Sequence, residues 1–232
     1  MRKILGIGAA LVMFAANTLS AETRPVVVEL FTSQGCSSCP PADAFMHKLA
    51  ARDDVIALAL HVDYWDYIGW KDVFGSRANT ERQHAYARTA GRRSVYTPQM
   101  IIAGQDDVVG NHPMDVADLV KVHAARAPEV DLKISRSGTT LAISATARRA
   151  LGNPATVQLV RYLPKETVKV TRGENAGKTL SYSNIVSEWT VLGTWDGRSA
   201  YKVTTAVRGA QPVVVIVQRA GHGPILAAAR LR

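Results

Sequence analysis

Val26-Val27-Val28-Glu29-Leu30-Phe31-Thr32-Ser33-Gln34-Gly35-Cys36-Ser37-Ser38-Cys39-Pro40-Pro41-Ala42-Asp43 decides how this chain is read. Val26 to Phe31 is a β-branched and apolar run of the kind a sheet buries on both faces. Gln34-Gly35 interrupts it. Pro40 and Pro41 follow a Cys-x-x-Cys, and proline suits the first turn of a helix, where its missing N–H has no partner to lose. Phe45, Met46 and Leu49 continue at helical spacing. The order is therefore strand, turn, helix, with Cys36 at or just before the helix N-terminus. Free amides and the positive end of the helix dipole favour a thiolate there. Cys39 is one turn further in, close enough to close a small disulfide ring.

These are the chain's two cysteines, and three uses compete for them. A redox dithiol fits the order strand, C-x-x-C, helix. A structural disulfide is the second use, although so small a ring constrains little chain. A metal site is the third. One C-x-x-C supplies two ligands, no second one completes four, and His61 is the further donor that a metal-handling protein would recruit. The expectation is a dithiol with no resident metal or cofactor. Glu29 is the odd residue of its strand, because a buried carboxylate is costly without a reason. Seven positions before Cys36, it is expected to reach beneath the dithiol and exchange a proton with Cys39. Its alternative is a polar edge or an arginine partner.

Working outward, Arg2-Lys3 followed by the apolar Ile4 to Ala16 and the small residues near Ala21 read as a secretory signal peptide over residues 1–21. An uncleaved anchor is the alternative. Cleavage leaves no stable membrane anchor and a periplasmic or secreted bacterial protein, in a compartment where a disulfide persists. Removing Arg2 and Lys3 lowers the net charge from +9 to +7. The basic residues are scattered apart from Arg88, Arg92 and Arg93, and no run interleaves them with aromatics, so no nucleic-acid partner is expected. No constellation of a hydrolase stands out.

Val55 to Val62 is a second strand, which makes the order βαβ with parallel strands and a right-handed crossover. Tyr64, Trp65, Tyr67 and Trp70 follow it, at the sheet edge where open α/β folds bind ligands. Ser76 to Arg92 is helix-compatible, with Gly91 as C-cap. Thr97-Pro98 opens the apolar strand Gln99 to Ala103, and His112-Pro113 starts a helix that ends at Ala127-Pro128. Beyond it, Leu132 to Val217 reads as short strands separated by Ser137-Gly138, Gly152-Asn153-Pro154 and Asp196-Gly197. The expected architecture is an α/β thioredoxin-like domain over residues 22–127, followed by an all-β antiparallel sandwich-like domain over residues 128–232. Arg172 to Lys178 is a glycine-bearing loop without the strand–helix context of a phosphate loop.

Cys36-Ser37-Ser38-Cys39 after a buried strand, with Thr97-Pro98 opening a later one, resembles the thioredoxin-like superfamily. The resemblance implies Cys36 as attacking thiol, Cys39 as resolving thiol and a cis Pro98 facing them. Ser37-Ser38 departs from the Gly-Pro of thioredoxin, so its redox potential does not carry over. Val28 to Asp43, His61 to Asp66, Tyr96 to Gln99 and Arg172 to Leu180 also resemble the secreted DUF1223 family, over nearly the full mature length. The expected function is thiol–disulfide exchange on a protein or small-molecule substrate, with Thr97, Tyr64 and Trp65 contacting it. The alternatives are a periplasmic binding or assembly protein with a structural disulfide, and the metal-handling protein already named. Neither the substrate, the direction of exchange nor the oligomeric state is written in these residues.

Overall fold

The computed structural model describes residues 24–232, and the signal peptide expected over residues 1–21 lies outside the described residues. β1 (Val26–Thr32) is buried along its whole length, as its unbroken apolar run requires. α1 (Pro40–Ala50) follows, and β2 (Val55–His61) returns parallel to β1, with Thr32 opposite His61. Strand parity then divides the side chains. Val26, Val28 and Leu30 pack with Val55, Ala57 and Ala59 against α1 and α3 (Pro113–Ala124). Val27, Phe31, Ile56, Leu58 and Leu60 pack on the other face, with Tyr86 of α2 (Arg77–Thr89). β3 (Gln99–Ile102) pairs antiparallel with β1, and β4 (Asp106–Val109) pairs with β3 and closes that edge.

The second half overturns the expectation of a thioredoxin-like domain followed by a separate sandwich. β7 (Ala155–Lys169) and β8 (Thr179–Trp195) form one long hairpin. β8 lies parallel beside β2, with Ile185 opposite Ala59. β10 (Val213–Arg219) and β11 (Ile225–Leu231) extend the row. The result is one mixed eight-stranded sheet in the order β11-β10-β7-β8-β2-β1-β3-β4. β5 (Val130–Ser137), β6 (Thr140–Ala147) and β9 (Tyr201–Ala206) form a second, three-stranded sheet.

The physical reason lies in β2 and β10. β2 is wholly buried, and a buried strand must satisfy the backbone groups of both its edges. β1 takes one edge and β8 begins to cover the other. In β10, Val214 and Ile216 join the core beneath α2, whereas Val213, Val215 and Val217 join the core shared with the small sheet. A strand apolar on both faces belongs between layers, not in a sandwich with a wet outer face. Among the described residues, no helix is long and apolar enough to cross a membrane.

Candidate active site at the Cys36–Cys39 disulfide

Cys36 and Cys39 form a disulfide with Cα atoms 5.4 Å apart. α1 starts at Pro40 with Cys39 as its N-cap, so Cys36 stands in the turn ahead of the helix, its amide bonded to Ser33 O at 3.2 Å. The Thr97–Pro98 peptide is cis. It places Thr97 O 3.8 Å from Cys36 Sγ. Thr97 Oγ1 accepts a hydrogen bond from Trp65 Nε1 at 2.7 Å. Trp65 stacks on Tyr67, a ring that is 80% exposed, and also borders Tyr64. A Cβ on Gly35 would come within 3.2 Å of Trp65 Cβ, which measures how closely the aromatic loop covers the cysteine turn. The fold thus brings Cys36, Cys39, Thr97, Pro98, Tyr64 and Trp65 to one place. Burial pushes the Tyr64 hydroxyl up to about 12.

Glu29 is the exception, and its expected position is corrected. It sits on the α2 face of β1 with Val27 and Phe31, away from α1. Arg82 Nε and Nη2 donate to its two oxygens at 2.6 and 3.0 Å, and Tyr86 Oη donates at 2.6 Å. Arg82 also lies over the Trp189 ring, 3.8 Å from its centroid. The odd carboxylate therefore has an arginine partner in a buried network, and nothing in its contacts joins it to the cysteines.

A second acid lies on the α1 face of the sheet. Asp43, in the first turn of α1, is buried and accepts from Thr32 Oγ1 at 2.8 Å through Oδ1. Its Oδ2 has no hydrogen-bond partner. Burial raises its pKa to about 7, opposed by His61 and the Thr32 hydrogen bond and assisted by Asp72. His61 Nδ1 lies 2.7 Å from Asp72 Oδ2, and that same oxygen accepts from Gln34 N at 2.8 Å. His61, the further donor a metal-handling protein would recruit, is thus engaged with Asp72. Among the described residues no group of three or more His, Cys, Asp and Glu side chains is arranged to hold a metal.

The loop between β7 and β8 completes the site. Asn175 is fully buried, and its Nδ2 donates to Gln34 O and Cys36 O, both at 2.9 Å. Lys178 Nζ holds its Oδ1 at 2.9 Å, and Glu174 Oε2 accepts from Ser37 N at 3.2 Å. Tyr182 of β8 packs edge-on to His61, ring centroids 4.8 Å apart. Its hydroxyl is held well above the usual tyrosine range by burial and by Asp43 and Asp72. Cys36 is 3% exposed and Cys39 0%, and the tip bonds the backbone of the turn that carries Cys36. Sequence reasoning missed Gln34, Asp43, Asp72, Asn175 and Tyr182 as parts of the site. Asp43 carried a usable signal, four residues after Cys39 on one helix face.

The family model described as "Protein of unknown function (DUF1223)" matches residues 27–218. The chain belongs to the DUF1223 family. A protein of Agrobacterium tumefaciens, known from its X-ray crystal structure, is 34% identical over 90% of this DUF1223 chain and 95% of its own, with a TM-score of 0.78. HBP35 of Porphyromonas gingivalis is similar in fold, with a TM-score of 0.63 at 17% identity, over 90% of this chain and 75% of its own. No curated protein matches the chain.

Proposed function

We propose that this DUF1223 protein is an exported thiol–disulfide oxidoreductase acting through Cys36 and Cys39. The observation that carries the reading is the Cys36–Cys39 disulfide immediately ahead of α1, with the Thr97 carbonyl 3.8 Å from Cys36 Sγ. Opening the disulfide leaves Cys36 in a turn ahead of the α1 N-terminus, where a thiolate is favoured. Cys36 then attacks a substrate disulfide, and Cys39 resolves the mixed disulfide. The reverse direction donates the disulfide through the same atoms. Thr97, Tyr64 and Trp65 form the rim that meets the substrate. Kinship with the thioredoxin-like superfamily is part of the same proposal. It rests on Cys36-Ser37-Ser38-Cys39 after a buried strand and on Thr97-Pro98 facing it. Export rests on the Arg2-Lys3 and Ile4 to Ala16 pattern.

In the mature protein, Cys39→Ser traps mixed disulfides with protein or small-thiol substrates, and Cys36→Ser traps none. The readout is non-reducing mass analysis after alkylation. Absence of any trapped species in Cys39→Ser contradicts the proposal. One observation favours a second reading, a binding protein whose disulfide only fastens the turn. Both sulfurs are buried, and Asn175 bonds the turn from outside. In that case the pair resists physiological reductants in the folded protein.

A further inference from the structure

Away from the disulfide, where β1 begins, the fold leaves a cleft of about 930 Å³ between β11, β5 and the C-terminal end of α3. That volume falls in the range of small-molecule sites. β1 runs from Val26 to Thr32, so its start lies roughly 20 Å from the end that leads to Cys36. The residues that line the cleft are separate from those of the disulfide site.

The hollow has a cause in the sequence. β11 reads Ile225-Leu226-Ala227-Ala228-Ala229-Arg230-Leu231, and each of these residues is half-buried. Three consecutive alanines stop short of the space that longer side chains would fill. Leu132 of β5, Leu226 of β11 and Val26 of β1 give that space apolar walls. β5 and β11 each end their own sheet, so no ladder draws them together to close it.

The rim is charged, and its charges do not balance. Asp131 is held by Arg148 in a two-pronged pair, with N–O distances from 2.6 to 2.9 Å. Glu129 meets Arg219 at 2.8 Å and Arg149 at 3.3 Å, and Asp53 meets Arg232 at 3.1 Å. Each acid of the lining thus has an arginine. Arg24, Arg126 and Lys133, all exposed, are left over. Arg126 donates to the neutral amide of Gln105 at 2.9 Å, and among the described residues none of the three forms an ion pair with a carboxylate. Cations without counter-charges at the mouth of an apolar hollow select a ligand with a negative head and an apolar body. The head gains charge-assisted hydrogen bonds, and the body leaves water.

We propose that this cleft binds a small organic anion with an apolar body, its charged end against Arg24, Arg126 and Lys133. The proposal goes beyond the redox reading and stands or falls separately from it.

The test titrates octanoate into the full mature chain with its disulfide intact, read by backbone amide chemical shifts. The expected result is saturable shifts at residues 130–133 and 226–229. Octylammonium, with the same body and the opposite charge, leaves those amides unmoved. Arg126→Glu combined with Lys133→Glu raises the octanoate dissociation constant about tenfold, the scale of losing two exposed charge contacts. Both side chains are exposed and outside any ion pair, so the remaining amides keep their positions and report an intact fold. Three results overturn the proposal. They are no octanoate shift at the cleft, equal shifts with octylammonium, and a dissociation constant that the double variant leaves unchanged.

Discussion

Glu29 and Asp43 are the two acids of the β1–α1 unit, and they end on opposite faces of the sheet. Alternation along β1 groups Glu29 with Val27 and Phe31, and Thr32 with Val28 and Leu30. That grouping was legible in the sequence. Which face α1 would cover was not, because it depends on the crossover and on what α2 buries. α2 read as a polar helix with a thin apolar face, yet it buries Asn79, Arg82 and Gln83. Arg82 tolerates this because its guanidinium meets Glu29, Tyr86 and Gln218 at hydrogen-bond distance. Glu29→Gln leaves that guanidinium without its counter-charge in the interior. The expected loss of stability is about 3–5 kcal/mol in denaturant unfolding, the usual range for breaking a buried ion pair. The Cys36–Cys39 chemistry should survive in whatever fraction stays folded. A loss below about 1 kcal/mol, the range of an exposed pair, would mean that Arg82 is not held by Glu29.

The β7–β8 hairpin shows why local pattern stops short of the site. Arg172 to Lys178 has the glycines of a turn, and Gly173 and Gly177 both take left-handed angles, with φ of +74° and +83°. Those residues announce a turn and nothing more. Its work is done on Gln34 and Cys36, far off in sequence, and no periodicity records such a contact. Asn175→Ala removes two hydrogen bonds to buried carbonyls, which costs roughly 1–3 kcal/mol. If the tip covers the disulfide, reduction by a small thiol accelerates on the order of tenfold, the equivalent of about 1.4 kcal/mol. The extent of reduction over time, read by mass after alkylation, gives the answer. An unchanged rate would mean that the reductant reaches Cys36 by another route.

Across the whole molecule, the β1–α1–β2 unit, α2, α3 and most C-terminal strands were legible as pieces, and their assembly was not. Strand pairing between distant segments is set by which buried edge remains open, a property of the finished sheet. Three contacts show how closely the halves interlock. Ile225 N bonds to Ala103 O at 2.8 Å, Arg230 Nη1 bonds to Val55 O at 3.0 Å, and Gln218 reaches Tyr86. A Cβ on Gly104, whose φ is +68°, would meet Gly223 O at 2.7 Å, so the C-terminal turn seats against a position that needs glycine.

The C-terminal half is therefore part of the surroundings of the disulfide, and the redox behaviour proposed for Cys36 and Cys39 is to be tested on the whole chain. The most direct measurement is a redox titration of that chain in glutathione buffers, with the thiol state read by alkylation and mass. The account predicts a reversible, two-electron transition of Cys36–Cys39 within the range that glutathione reaches, and a Cys36 thiol in the reduced form with a pKa below that of a free cysteine. A pair that stays oxidised across the whole series would contradict it and make the disulfide a structural fastening.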